Sequence, residues 1–217
     1  MTRAALLALV AALALAAAAG AVSRTGGDGP DRLVGTPGPD HLSGEGGNDT
    51  AFGLGGRDGI NGGAGVDVLK GGADDDDISG GDGPDRASGG DGADRMFGQG
   101  GPDRLAGDDG PDRIFGGDAN DQLFGEAGDD VLKGRSGGDR LSGGDDEDVL
   151  YGGDGEDRLA GGPDEDVLRG GRGNDLFDAR DGSEDLIDCG PGEDTVLVDA
   201  QEDGVFNCES VEYPKGS

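Results

Sequence analysis

The sequence predicts an all-β solenoid, and two observations lead to this fold class. A nine-residue pattern repeats without a gap from Gly26 to Asp178. The rest of the composition cannot supply a large core, because Leu, Ile, Val and Phe make up only 35 of the 196 residues after residue 21 and the net charge is −31. Such a composition is otherwise typical of disorder. The chain is therefore either a disordered polyanion or a repeat protein whose order does not come from a large core.

The composition also excludes two other classes. Gly and Pro together account for 60 of the 217 residues, but Gly does not recur at every third position as collagen requires. Acidic residues outnumber basic ones 48 to 17. This much negative charge repels phosphate, so the chain is not expected to bind nucleic acid.

Residues 1–21 have the pattern of a secretory signal peptide. Arg3 provides a positive start, Ala4 to Ala19 is an unbroken apolar run, and Ala19-Gly20-Ala21 is a small-residue cleavage site. A transmembrane anchor is the alternative, but the run is short for a span and rich in Ala. We therefore expect a secreted, extracellular protein with no membrane contact after cleavage. Residues 22–25 would form a short linker.

The repeat unit is G-G-x-G-x-D-x-U-x, where U is apolar. Seventeen consecutive units fill residues 26–178, for example GGAGVDVLK at 62–70 and GGDGEDRLA at 152–160. Position one is Gly, position six is Asp and position eight is apolar in all 17 units. Self-similarity of this kind indicates a stacked repeat architecture.

The nonapeptide resembles the hemolysin-type, or RTX, calcium-binding repeat. The resemblance implies a parallel β-roll in which two nonapeptides form one coil and a Ca²⁺ ion lies between turns i and i+2 on the same edge. It also implies that the position-six carboxylates are calcium ligands. These are Asp31, Asp40, Asp49, Asp58, Asp67, Asp76, Asp85, Asp94, Asp103, Asp112, Asp121, Asp130, Asp139, Asp148, Asp157, Asp166 and Asp175.

The residue types suit this chemistry. Position eight would point inward from the middle of a strand, with positions seven and nine outward. Glycines permit left-handed turns, and Ca²⁺ takes six to eight oxygens from carboxylates and carbonyls. One buried apolar side chain per unit does not offset the entropy of ordering nine residues, so calcium binding should drive folding. Position four departs from Gly at Asp74, Ala119, Asp146 and Asp164, and we expect a distorted or weak site at Ala119.

Residues 179–217 form a degenerate C-terminal cap in this interpretation. The register slips by one residue near Ala179, after which Asp185, Asp194 and Asp203 again hold position six. Most glycines are lost, so these coils are expected to bind calcium poorly. By the coil length that the resemblance implies, Cys189 and Cys208 lie on stacked turns, and in a secreted chain they are expected to form a disulfide. Two free thiols or an intermolecular bond are the alternatives.

The remaining motifs favour structural roles. His41, the only histidine, is at an outward position, and with no second histidine no His-based triad is available. Carboxylate pairs recur with the repeat, which fits cation binding better than glycoside hydrolysis. Arg86 and Arg104 should lie side by side, as should Arg140 and Arg158, and we expect these arginines to be solvated and to pair with nearby acids.

Phe97 and Phe115 hold position nine in alternate units and should stack on the outer surface. This pair would be either a surface for an unknown protein partner or packing along the roll. The whole chain is then a non-catalytic calcium-binding rod of ten coils, about 50 Å long at about 4.8 Å per coil. A calcium-dependent adhesive or structural rod and a disordered calcium-buffering polyanion are the alternatives.

Overall fold

The computed structural model describes residues 20–198 and 204–213, and these residues form 22 β-strands. Residues 1–19 of the expected signal peptide and Asp203 of the cap lie outside the described residues. The strands are β1 (Ser23–Gly27), β2 (Arg32–Val34), β3 (His41–Gly46), β4 (Thr50–Phe52), β5 (Gly59–Ala64), β6 (Val68–Ala73), β7 (Asp77–Asp82), β8 (Arg86–Asp91), β9 (Arg95–Gly100), β10 (Arg104–Asp109), β11 (Arg113–Asp118), β12 (Gln122–Ala127), β13 (Val131–Ser136), β14 (Arg140–Asp145), β15 (Val149–Asp154), β16 (Arg158–Ala160), β17 (Val167–Arg172), β18 (Leu176–Ala179), β19 (Leu186–Asp188), β20 (Thr195–Val198), β21 (Gly204–Phe206) and β22 (Ser210–Glu212). In this part of the chain no helix is long and apolar enough to cross a membrane.

The strands alternate between two parallel sheets. Odd-numbered strands form sheet A and even-numbered strands form sheet B, each with 11 strands in sequence order. Through the repeats, each strand residue pairs with its equivalent in the next unit but one, as Leu105 pairs with Leu123 and Ile114 with Leu132. One coil is therefore two nonapeptides, and the predicted parallel β-roll is confirmed.

The core lies between the two sheets and consists of two stacks of apolar side chains, with one position-eight side chain from each repeat unit. All 17 position-eight residues, from Leu33 to Phe177, are buried at 0–7% exposure. Their neighbours at positions seven and nine face outward, as the burial pattern of β10 illustrates with Arg104 exposed, Leu105 buried and Ala106 half-buried. The inward assignment of position eight is thus confirmed in every unit.

The turns need a left-handed backbone at two positions, and Gly does not always supply it. Position four is left-handed even where Gly is replaced, with φ of 72° at Asp74, 81° at Ala119, 77° at Asp146 and 82° at Asp164. Of the distorted or weak site expected at Ala119, the distortion is wrong, because the Ala119 backbone follows the other turns, and the weak site stays a prediction. Position two carries left-handed non-glycine residues as well, a feature that the motif did not reveal. They are Glu45, Leu54, Gln99, Asp108, Glu126 and Arg135.

Strands form beyond the repeats at both ends of the roll, so each sheet has 11 strands where ten coils were expected. The segment 22–25, expected as a linker, contains the start of β1, which pairs with β3. The Val22 N–H also donates to Asp40 Oδ1 at 2.6 Å, which fixes this segment to the next coil.

The cap continues the two sheets with irregular spacing. The predicted slip of the register is confirmed, since Leu168 of β17 pairs with Ile187 of β19, one position beyond the residue that an unbroken repeat would place there. The last coil is instead shortened, and Val196 of β20 pairs with Val211 of β22.

Candidate metal centre

The position-six carboxylates form two rows along the edges of the roll. Turns that lead from sheet A to sheet B form edge 1, and turns that lead from sheet B to sheet A form edge 2. Every position-six Asp from Asp40 to Asp175 is buried, with at most 5% of its surface exposed. Asp31, in the first unit, is half-buried. The sequence therefore places 16 buried acids inside the turns, where a carboxylate is costly unless it is hydrogen-bonded or paired with a cation.

One oxygen of each carboxylate holds consecutive coils together. The Asp103 N–H donates to Asp121 Oδ1 at 2.8 Å, and Asp103 Oδ1 accepts the Asp85 N–H at 2.8 Å. The same bond, at 2.7–3.0 Å, links each position-six residue from Asp31 to Asp175 to the acid of the next coil on its edge. Oδ1 thus has a structural partner.

The other oxygen is left without one. From Asp49 to Asp175, every position-six Oδ2 is buried and has no hydrogen-bond partner among the described residues. A buried, unsatisfied carboxylate oxygen in a native fold calls for a ligand, an ion or a proton. Fifteen such atoms, spaced regularly along the two edges, point to a ligand that recurs with each turn.

The gap between two stacked turns shows what surrounds this oxygen. In the pair of turns ending at Asp67 and Asp85, a Cβ on Gly62 would overlap Asp67 Oδ2 and would lie 2.6 Å from the Gly80 carbonyl oxygen. Asp85 Oδ1 faces the same gap, where it accepts the Asp67 N–H at 2.8 Å. Position one must therefore be Gly, because the carboxylate oxygen and the carbonyl oxygen of the next turn both pack against its Cα.

Two more carbonyl oxygens project into the same gap. A Cβ on Gly81 would overlap the Gly63 carbonyl oxygen, and a Cβ on Gly83 would overlap that of Gly65. Together with Asp67 Oδ2, Asp85 Oδ1 and the Gly80 carbonyl oxygen, they make five oxygens around one gap. Two of these oxygens belong to carboxylates, and the other three are uncharged main-chain carbonyl oxygens. No three His, Cys, Asp or Glu side chains converge on a metal-sized site within residues 20–198 and 204–213. Any cation here would thus be held largely by the backbone.

This donor set fits Ca²⁺. Calcium accepts six to eight hard oxygen ligands in flexible geometry, and it readily combines carboxylate with main-chain carbonyl oxygens. A cation in the gap would satisfy the unpartnered Oδ2 and neutralise the stacked carboxylates. The residues that would hold it are the position-six acids and the glycines before them.

Burial disfavours the charged form of the position-six acids from Asp58 to Asp175 in the metal-free roll. It raises their pKa above the usual 3.8, and repulsion from the acids of adjacent coils adds to this at several positions. The pKa is about 6 for Asp58, Asp94, Asp103, Asp130 and Asp175, about 7 for Asp76, Asp85, Asp121, Asp157 and Asp166, and about 8 for Asp112 and Asp148. Protons and cations therefore compete for the same oxygens.

The two ends of the rows differ from the middle. Asp40 already has partners for both oxygens, since Oδ2 accepts the Thr36 N–H at 2.5 Å and Oδ1 that of Val22. In the cap, Asp194 is buried and its N–H donates to Glu209 Oε2 at 3.0 Å. Glu209 thus accepts the hydrogen bond that a position-six acid accepts elsewhere in the roll. The nonapeptide pattern did not indicate this residue, because the last coil is shortened.

The predicted disulfide is present in the structure, where Cys189 and Cys208 are joined with their Cα atoms 5.2 Å apart. His41 is exposed as expected. Phe97 and Phe115 stack with ring centroids 5.0 Å apart, which confirms their predicted proximity.

The arginine pairs lie side by side as predicted, with Arg86 opposite Arg104 and Arg140 opposite Arg158. Their expected pairing with acids was wrong. Within the described ranges, the ion pairs instead join Arg172 to Asp154 and Arg180 to Asp178. All four arginines are exposed on sheet B, which confirms that they are solvated.

Comparison with known proteins identifies the repeats. A family model for the RTX calcium-binding nonapeptide repeat (4 copies) matches in seven overlapping segments, at 25–60, 52–87, 71–105, 97–132, 133–168, 151–183 and 161–196. Such a roll is a structural calcium-binding domain, and the match indicates no enzyme family. No curated protein matches the chain significantly. The matched segments together span residues 25–196, and the chain therefore belongs to the RTX calcium-binding nonapeptide repeat family, whose repeats bind Ca²⁺ at multiple sites.

Proposed function

We propose that this chain is a secreted, non-catalytic rod that folds when it meets extracellular Ca²⁺. The observation that carries the proposal is the two rows of buried Oδ2 atoms, from Asp49 to Asp175, that have no hydrogen-bond partner among the described residues. Without a cation, the folded state would bury stacked carboxylates that repel one another. The unfolded chain avoids this cost, because it leaves the same carboxylates in water.

In this proposal the position-six acids, Asp31 to Asp175, are the calcium ligands. Each interior acid borders two gaps, one on either side along its edge, because it bonds to the coil before and to the coil after it. The binding free energy of the ions then becomes folding free energy. Extracellular calcium modules bind at about 10⁻⁴ to 10⁻³ M, which would keep the chain unfolded at the low calcium level inside a cell and folded outside it.

Secretion is supported by the pattern of residues 1–21, with Arg3 before an apolar run and a small-residue cleavage site. The disulfide between Cys189 and Cys208 also suits an oxidising compartment. A non-catalytic role is supported by the regularity of the acids, which serve the repeat rather than one pocket.

The test is far-ultraviolet circular dichroism of the chain from residue 22 in chelator and in millimolar Ca²⁺. We expect a disordered spectrum in chelator and a β-rich spectrum in Ca²⁺. Mg²⁺ should substitute poorly, since it demands octahedral geometry and loses its water reluctantly. Identical spectra in chelator and Ca²⁺ would contradict calcium-driven folding. A disordered spectrum in both would favour the calcium-buffering polyanion instead.

A further inference from the structure

The outer face of sheet A carries a feature that calcium binding does not use. From β9 to β17, position nine holds Phe97, Phe115, Lys133, Tyr151 and Arg169 on five adjacent strands. We call this row, together with Arg95 and Arg113 at position seven of β9 and β11, the cation–aromatic ladder. Neighbouring strands are about 4.8 Å apart, so the ladder runs about 19 Å along the rod.

The ladder is ordered by contacts between its own members. Phe97 and Phe115 stack, and the Lys133 ammonium lies 4.7 Å from the Tyr151 ring centroid. The Arg169 guanidinium lies 5.3 Å from the same ring on its other side. These cation–π contacts hold the cations in a line, while Arg169 is exposed and the three aromatic side chains are half-buried.

Positions seven and nine of this face carry no acid over the ladder, and the acids of these strands, Asp118 and Asp154, lie at position three, beside the turns. Position seven on these strands holds Arg95, Arg113 and three valines, and neither position seven nor position nine is acidic between Arg95 and Arg169 on sheet A. Arg95 and Arg113 lie directly opposite each other, an arrangement of like charges that is unfavourable by itself. The ion pairs within residues 20–198 and 204–213 involve neither of them nor Lys133 or Arg169.

Edge 2 of the same molecule has the complementary character. From the β12–β13 turn to the β18–β19 turn, which overlaps the C-terminal part of the ladder along the rod, an exposed trough on this edge is lined by Asp129, Asp146, Glu147, Asp164, Glu165 and Glu184. Within the repeats these acids lie at positions four and five of their turns, outside the buried position-six rows. They recur once per coil, with the same axial spacing as the ladder.

We infer that the cation–aromatic ladder of one rod docks on the acidic trough of a second copy of this chain, side by side and with their long axes aligned. The complementary charges lie on strands and turns that share the coil spacing, with cations on four of the five ladder strands, so several contacts form at once for a single alignment. Aromatic and arginine side chains are also those enriched at protein interfaces. Because the two surfaces are different, the contact is heterologous and leaves a free ladder and a free trough at the ends of each assembly. Lateral arrays of rods are expected.

The inference rests on the calcium-folded rod proposed above, because only the folded roll aligns the ladder. Calcium bound in the turns also lowers the net negative charge that keeps copies apart. We therefore expect the chain to be monomeric in chelator and to associate in Ca²⁺. High salt should weaken the association, since it screens exposed charges.

The decisive experiment is sedimentation velocity over a concentration series in millimolar Ca²⁺, with circular dichroism on the same samples. The pair Arg95→Ser, Arg113→Ser should weaken association about tenfold, as expected for two exposed ion pairs. The matched control is Arg140→Ser, Arg158→Ser, which removes an equivalent pair of opposed arginines from sheet B. The control should associate like the parent.

Charge reversal separates direct docking from calcium bridging between acidic edges. Rods with Arg95→Glu and Arg113→Glu, and rods with Glu147→Lys and Glu165→Lys, should each fail to associate alone. An equal mixture should associate, because the reversed face of one rod matches the reversed trough of the other, and the two unchanged surfaces also match. Assembly that survives both reversals, or a sheet B control as weak as the sheet A variant, would overturn the docking.

Two further outcomes are also decisive. Folded rods that stay monomeric at all concentrations would overturn the interface and leave calcium-driven folding intact. A chain with no β signal in Ca²⁺ would overturn the folding proposal and, with it, the interface. Circular dichroism distinguishes these two results.

Discussion

Replacement of Asp103 tests the role of the position-six acids most directly. This residue lies in the middle of edge 1 with 2% of its surface exposed. Its Oδ1 accepts the Asp85 N–H at 2.8 Å, and its Oδ2 has no hydrogen-bond partner among the described residues. Asp103→Asn keeps an oxygen that can accept the Asp85 N–H but removes the charge. Asp103→Ala removes both.

The magnitudes follow from these two contacts. A carboxylate bound to a buried cation resembles a buried ion pair, in which loss of one partner costs about 3–5 kcal/mol. In saturating Ca²⁺, Asp103→Asn should therefore lower the free energy of unfolding by about that amount. Asp103→Ala also leaves the buried Asp85 N–H without its acceptor, which should lower the free energy of unfolding by about 1–3 kcal/mol more. The matched control is Asp109→Ala, which removes an exposed acid from position three and should stay within about 0.5 kcal/mol of the parent.

The assay is urea unfolding in saturating Ca²⁺, together with the calcium midpoint of folding, both followed by circular dichroism. Asp31→Ala extends the series to the N-terminal end, where the residue is only half-buried and a smaller effect is expected. The order of destabilisation should be Asp103, then Asp31, then Asp109. If Asp109→Ala shifts the calcium midpoint as much as Asp103→Ala, total charge controls binding, and the assignment of position six as the ligand row is refuted.

Three further predictions use other features of the roll. Burial raises the pKa of Asp112 and Asp148 to about 8, so the folded metal-free chain keeps protons that the unfolded chain releases. The stability of the folded metal-free chain therefore increases as the pH falls from about 8 towards 3.8. In chelator, the β signal in circular dichroism should be larger at about pH 4.5 than at about pH 7.5. An unchanged or smaller signal at the lower pH would contradict the raised pKa values. Leu54 has φ of 88°, so Leu54→Gly should stabilise the folded state by about 1 kcal/mol in urea unfolding; a loss of stability would show that this backbone is not strained. The oxidised chain should contain no titratable thiol, and Cys189→Ser with Cys208→Ser should cost about 2–4 kcal/mol; two reactive thiols in the native chain would contradict the disulfide.

The sequence was sufficient for the parts of the fold that recur. Each unit repeats the same pattern of Gly, Asp and apolar residues, so the prediction that position eight points inward holds from Leu33 to Phe177. The coil of two nonapeptides came with the family resemblance, and the pairing of Phe97 with Phe115 followed from it. The composition alone pointed to disorder, because it does not show that the few apolar residues all occupy one position.

The sequence was less informative where the repeat is broken. The role of Glu209 depends on a shortened last coil, and no nonapeptide match extends there. Left-handed residues such as Leu54 and Arg135 resemble ordinary surface residues in the motif, because position two tolerates them at a conformational cost. The main-chain oxygens that border the gaps cannot be recognised from side-chain types in the sequence. Only the glycines that leave space for these oxygens indicate them.

The bond from each Asp N–H to the carboxylate of the following coil runs in one direction along the rod, so the two ends of the roll are not equivalent. The N-terminal end presents acceptors, which water, a cation or the Val22 N–H can satisfy. The C-terminal end presents N–H donors, and Glu209 supplies the acceptor for Asp194. A roll cut short at its C-terminal side would expose donors with no carboxylate above them, whereas one shortened at its N-terminal side would expose only carboxylates. Ordered coils should therefore spread from the capped C-terminal end towards the N-terminus, and deletions of equal length should be tolerated far better at the N-terminal end.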